Sequence, residues 1–156
     1  MELLKGEYSV GMILDPQNKI LLQRKDGGHF FWPNYWSLFG GGMKNGESSL
    51  ECLVREVKNE SELVLSDIKL FSIRKFSEVA RVGPRKDVLK RQGKANYFAA
   101  RFNGDLSKIS VGEGAGFSVF DEEEIARYNQ LGLVIPYLYE AIAQFYKEIK
   151  EGTFTF

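Results

Sequence analysis

Apolar positions recur along the chain with two different periods, and each change of period marks out an element. Residues 8–14 and 19–23 are apolar runs of strand length, split by Asp15-Pro16-Gln17-Asn18, a turn-forming tetrapeptide. The two runs therefore predict a hairpin. Residues 26–34 are rich in glycine and aromatic side chains and read as a loop. Leu50, Leu53, Val54 and Val57 then fall at i, i+3, i+4 and i+7, the spacing of one buried helix face. Ser48, with Glu51 three residues on, has the form of a capping box and sets the start of that helix. Residues 68–79 and 95–102 alternate as partner strands, joined by a basic, glycine- and proline-containing connection over residues 81–94. Residues 112–118 form a loop or a short strand. A short helix over residues 120–128 takes Asp121 as its N-cap, and Pro136 opens a last amphipathic helix through Lys150. Strands interleaved with a few helices imply a mixed α/β class. No repeat, linker or low-complexity stretch interrupts the pattern, so residues 1–156 are expected to form a single domain.

Composition narrows the picture. Lysine plus arginine, 21, equal aspartate plus glutamate, 21, so no global field draws the chain to a nucleic acid polymer or a membrane surface. The single cysteine, Cys52, rules out an internal disulfide and reads as a small core residue within the helix. No signal peptide is visible, and no apolar run approaches the roughly 18 residues of a membrane span, which makes the cytoplasm the default expectation.

Candidate chemistry concentrates at the start of the first helix. Gly40-Gly41-Gly42 leads toward a helix carrying Arg55-Glu56 and then Glu60. Residues at i and i+4 share a face, and at about 100° per residue the two acids point about 40° apart along one margin of the apolar stripe. A carboxylate there is partly dehydrated, so a loop feeding such a helix suits a divalent cation gripping a diphosphate. The alternative is a solvated amphipathic helix with scattered charges.

The run from Gly41 to Leu63 resembles the signature of the Nudix hydrolases, G-x5-E-x7-R-E-U-x-E-E-x-G-U, where U is a bulky aliphatic residue. Gly41 matches the opening glycine, Glu47 the first acid, Arg55-Glu56 the central pair, Val57 the aliphatic place, Glu60 the second acid of the later pair and Leu63 the close. Tyr35-Trp36-Ser37-Leu38-Phe39-Gly40-Gly41 is similar to that family's tryptophan-led approach to the glycines. The resemblance implies the Nudix α/β/α sandwich, with a mixed central sheet and the signature loop–helix–loop, over nearly the whole chain. It also implies Mg²⁺ (or Mn²⁺) bound by Glu56 and Glu60 with a main-chain carbonyl at Gly41, and Glu47 paired with Arg55 to hold loop against helix. Glu113 is the best match to a general base on a later loop. Some relatives place that base where this chain has Ser118, and a signature acid is the remaining choice. Two positions depart from the pattern. Asn59 replaces the first glutamate of the later pair, weakening any additional metal, and Glu62 replaces a glycine suited to a left-handed helix end.

Substrate features lie beside this segment. Aromatic residues crowd positions 29–36; of these, Trp32 and Tyr35 could stack on a nucleobase, for about 1–3 kcal/mol per base, or pack under the loop with Trp36 in the core. His29 could touch phosphate or stand exposed. Arg24 and the backbone of Gly40, Gly41 and Gly42 are candidates for phosphate contact. Arg81, Arg85, Lys86, Lys90, Arg91 and Lys94 could meet phosphates or form a solvated loop, and the length of that connection suggests a lid or the contact of a homodimer. The expected activity is hydrolysis of a nucleoside triphosphate or another small nucleoside diphosphate derivative, such as an 8-oxo-guanine nucleotide or a nucleotide sugar. A second reading, supported by Asn59 and Glu62, is a catalytically weakened domain that senses a nucleotide. A third is isomerisation of an isoprenoid diphosphate, against which stands the lack of a cysteine outside the signature.

Overall fold

The computed structural model describes residues 2–29, 31–82, 87–109 and 116–156. In chain order they form β1 (Glu2–Leu14), β2 (Ile20–Arg24), β3 (Trp36–Ser37), β4 (Phe39–Gly42), α1 (Ser49–Ser61), β5 (Ser66–Val82), β6 (Asp87–Arg101), a 3-10 turn (Leu106–Lys108), β7 (Gly116–Phe120), α2 (Glu122–Gln130) and α3 (Pro136–Glu151). The strands join in one mixed sheet of order β3-β2-β1-β6-β5, with β4 on β1 and β7 on β2. β1 and β6 run parallel, from Glu2 opposite Leu89 to Leu14 opposite Arg101, and the other pairings are antiparallel.

Alternation along the central strands puts a core on each face of the sheet. Met12, Leu14, Ile20, Leu22, Tyr97 and Ala99 pack against Ile125 of α2 and Leu138, Ile142 and Phe145 of α3. Ile13, Leu21 and Phe98, the alternate residues, pack against Leu53 and Val57 of α1. A sheet covered on both sides must be apolar on both, which is why residues 10–14 and 20–22 read as continuous apolar runs. The result is the α/β/α sandwich with a mixed central sheet. No helix among the described residues is long and apolar enough to cross a membrane.

Four elements differ from expectation. β5 and β6 continue through most of residues 81–94, and β1 starts at Glu2 rather than near residue 8. This extension is held by cross-strand pairs such as Glu78 opposite Arg91 and by a small apolar cluster of Ala80 and Leu89 with Phe31, too few positions for hydrophobic alternation to reveal it. In α1, Leu50 and Val54 are each 45% exposed. The buried face is instead Cys52, Leu53, Val57 and Ser61. Ser61 donates its hydroxyl hydrogen bond to the Val57 carbonyl at 2.6 Å, and a satisfied serine inside the stripe carries no apolar mark in the sequence. The helix starts where expected, with the Ser48 side chain accepting from the Glu51 amide, and α2 carries a full capping box between Asp121 and Glu124.

Candidate active site

The three glycines gather the site because they form β4. That strand pairs with β1, Gly40 opposite Val10, Gly41 opposite Ser9 and Gly42 opposite Tyr8. Gly40 has φ 153°, and a Cβ there would fall 2.0 Å from the Ser9 carbonyl oxygen, so only glycine fits. A Cβ on Gly41 would meet the Glu56 carboxyl carbon at 2.5 Å and both its oxygens at 2.8 Å. The Glu56 carboxylate thus lies directly against the Gly41 backbone.

Helix α1 is anchored to this strand pair. The Ser9 hydroxyl donates to the Ser49 carbonyl at 2.8 Å, and the Cys52 thiol lies 3.5 Å from the Gly41 carbonyl oxygen. Burial pushes the Cys52 thiol pKa up, which keeps it protonated and suits a packing role. Arg55 is the hub of the loop. Its guanidinium donates to Glu47 at 2.6 and 2.9 Å, to the Gly42 carbonyl at 3.0 Å and to Glu56 at 2.7 Å. The Arg55 hydrogen bonds, followed by the Lys44 amide, hold the Glu47 carboxyl down at about 2, and the bonds to Glu47 and then Glu56 raise Arg55. Glu60, one turn beyond Glu56, accepts from the Gln23 side chain at 2.9 Å, which turns it toward β2.

Gly40, Gly41, Glu60 and Gln23 line a cleft of about 200 Å³. Its walls include Tyr8, Val10, Leu38, Phe76, Ile135, Tyr137 and Leu138, and its remaining polar groups include Lys25, His29 and Arg91. One network backs these residues. Glu78, with a side chain only 2% exposed, pairs with Arg91 and accepts from the Trp32 indole at 2.6 Å and from the Tyr137 hydroxyl at 3.1 Å. The Arg91 guanidinium lies over the rings of Phe31 at 4.4 Å and Tyr8 at 5.1 Å. Lys25 donates its ammonium hydrogen bond to the Phe31 carbonyl. Burial, and then the Arg91 charge, lower its pKa to about 8.

The structure therefore brings together Glu47, Arg55, Glu56, Glu60, Gly40, Gly41 and Gly42 around α1 and β4. It sets Arg24, Trp32 and Tyr35 outside the cleft lining. Arg24 is exposed, opposite Trp36 and Gly116, while Trp32 spends its indole on Glu78 and meets Tyr35 edge-on at 5.1 Å. Trp36 packs on Phe120. His29 does reach the cleft. Glu113, Arg85 and Lys86 lie outside the described residues, and Ser118 sits on β7 opposite Leu22. Gln23, Lys25, Glu78 and Tyr137 escaped the sequence reading, and Arg91 entered it only as one of a run of basic residues. The available signal was weak: a glutamate inside an alternating strand, with an arginine on its partner.

Among the described residues no group of three or more His, Cys, Asp or Glu side chains converges as a metal cage. Two carboxylates and a backbone carbonyl are nonetheless the kind of partial oxygen shell that suits Mg²⁺, which keeps several waters and takes substrate phosphates for the rest. Asn59 is exposed and Glu62 holds the left-handed conformation, φ 58° and ψ 13°, at the end of α1.

Comparison with known proteins agrees with this geometry. The family model described as NUDIX domain matches residues 7–145. A curated relative, a prenyl-diphosphate phosphatase of Methanosarcina mazei, is 36% identical over 62 residues, 40% of this chain and 36% of that protein's length. The chain therefore covers well under two thirds of that relative. Among solved structures, a MutT protein from Methanosarcina mazei superposes with TM-score 0.64 at 20% identity, covering 96% of this chain and 99% of the other. A Deinococcus radiodurans protein superposes with TM-score 0.67 at 15% identity, covering 89% and 82%. At such identities the structural matches speak to the fold alone.

Proposed function

Starting from a chain that belongs to the NUDIX domain family, we propose that it is a Mg²⁺-dependent pyrophosphohydrolase of small nucleoside diphosphate derivatives, nucleoside triphosphates included. The observation that carries this reading is the seating of Glu56 on the Gly41 backbone, with Glu60 one turn along the same helix and facing the cleft. Glu56, Glu60 and the Gly41 carbonyl would hold the metal. When bound, Mg²⁺ neutralises the phosphate oxygens and lowers the pKa of an attacking water. Arg55 and Glu47 keep the Glu56 carboxylate aimed, a positioning role that leaves them away from the reacting atoms. The general base is assigned to Glu113 or to one of the signature acids.

Turnover of nucleoside triphosphates, dinucleoside polyphosphates, nucleotide sugars and ADP-ribose with Mg²⁺ or Mn²⁺ tests the proposal. Glu56→Gln and Glu60→Gln should each lower turnover by about 100-fold or more, because the charge that holds the metal is lost, with unfolding midpoints unchanged. Wild-type turnover in Glu56→Gln overturns the assignment. Saturable nucleotide binding without turnover favours the sensor reading, to which Asn59 lends support through its missing charge. A second substrate reading follows from the curated relative and from the apolar wall of Val10, Leu38, Ile135 and Leu138. A prenyl diphosphate therefore belongs in the same panel.

A further inference from the structure

The cleft contains a cation that the metal chemistry does not use. Lys25 follows Gln23 by two residues, and its backbone continues the ladder: its amide donates to Tyr35 at 2.9 Å and its carbonyl accepts from Asn34 at 3.1 Å. At extended-chain spacing, alternate residues stand roughly 7 Å apart on one side of a strand. Gln23 touches Glu60, so Lys25 stands one such step along the cleft from the acid pair. That step is on the scale of a diphosphate.

The carboxylates near Lys25 are already engaged. Glu78 offers one oxygen to Arg91 and the other to Trp32 and Tyr137. Asp26 accepts the Gly28 amide at 2.8 Å and lies 3.9 Å from His29. Among the described residues no carboxylate forms an ion pair with Lys25. An ammonium has three donors, and the Phe31 carbonyl takes one of them. A half-buried cation without a counter-ion, open to a cleft, is stabilised most by an anion brought in from outside. Its depressed pKa reports the same imbalance, since burial and the Arg91 charge outweigh the attraction of Glu78 and Asp26.

We propose that Lys25, with His29 lining the same cleft, forms an oxyanion subsite that takes a phosphate or carboxylate group of the substrate remote from the phosphoanhydride being cleaved. This rests on reading the cleft as the substrate site. It narrows the substrate to diphosphate compounds with a further anionic group, and it sets a neutral prenyl tail at a disadvantage.

Inorganic phosphate in EDTA is the probe, since without metal the acid pair repels anions and the Lys25 end of the cleft attracts them. Binding is followed by tryptophan fluorescence. Wild type should bind phosphate, Lys25→Met should bind about tenfold more weakly or worse, as expected on losing one charge-assisted hydrogen bond, and Lys25→Arg should restore most of the loss. Glu60→Gln should bind at least as well as wild type. Equal binding by wild type and Lys25→Met, or none by either, overturns the subsite. If Lys25→Met unfolds, Lys25→Arg against wild type, with Lys25→Gln as the neutral variant, carries the comparison. A second arm separates the substrate's own group from free phosphate as an effector. Phosphate should raise the KM of the best panel substrate and leave kcat unchanged; a change in kcat at constant KM overturns the proposal. Failure of the activity reading shows elsewhere, as undiminished turnover in Glu60→Gln, and leaves the phosphate arm readable.

Discussion

Two adjacent glycines divide the labour of the site. A methyl group on Gly40 would meet the Ser9 backbone, which cannot yield without breaking the β1–β4 pairing. A methyl group on Gly41 would meet the far end of the flexible Glu56 side chain. Gly41→Ala should therefore leave the unfolding midpoint nearly unchanged and lower turnover by up to about 100-fold, the cost of a small misplacement of a reacting group. Gly40→Ala should lose stability first. Thermal melts beside activity assays check both. Lys25 makes a separate prediction in pH. Its folded value of about 8 lies below the ordinary 10.5. Between those values the unfolded chain holds a proton that the native one has released, so stability rises with pH across this window. The groups that set the balance are Arg91 and Glu78 on the β5–β6 hairpin and Asp26 on the loop, with His29 in the same cleft. Above about pH 10 the trend reverses, because burial keeps Tyr97, Tyr137 and Tyr146 protonated while unfolded tyrosines ionise. Lys25→Met should lack the rise on urea unfolding from pH 8 up to that reversal and keep the fall.

At the scale of elements, α1 carries both the candidate ligands and a strained end. Glu62 takes the left-handed conformation, with its amide donating to the Lys58 carbonyl, so the helix ends where a glycine would end it and bears a side chain there. Glu62→Gly should stabilise the protein by about 1 kcal/mol, measured by urea unfolding. No gain would mean that the Glu62 side chain offsets the backbone cost by contacts of its own. The opposite end of α1 is held by the Ser48 cap and by the Ser9 hydroxyl bond to Ser49. Glu56 and Glu60 therefore sit between two fixed ends, which preserves their aim.

For the molecule as a whole, the clasp at Glu78 joins four distant pieces: the loop at Trp32, β5, β6 through Arg91, and α3 through Tyr137. Glu78→Ala would leave the Arg91 guanidinium without its counter-ion over the Phe31 ring. Removing one partner of such a pair costs about 3 kcal/mol, measured as a lowered denaturation midpoint. Since Arg91 and Tyr137 line the cleft, the same variant should raise KM more than it lowers kcat. A wild-type midpoint would show that Arg91 finds another partner or reaches water.

The start of α1, the spacing of Glu56 and Glu60, the capped α2 and the mixed α/β class were legible in the sequence. Each depends on neighbours within a turn or two, and helix period and capping act over that range. The sequence also carried the signature segment, because its spacing is local. Tertiary structure decided the rest. Trp32 and Tyr35 stand among aromatic residues beside the glycines in sequence, yet Glu78, 46 residues from Trp32, draws the indole out of the cleft lining. Lys25 just past β2, Arg91 on β6 and Tyr137 on α3 line one cleft, a meeting of residues too distant in the chain for any local pattern to encode.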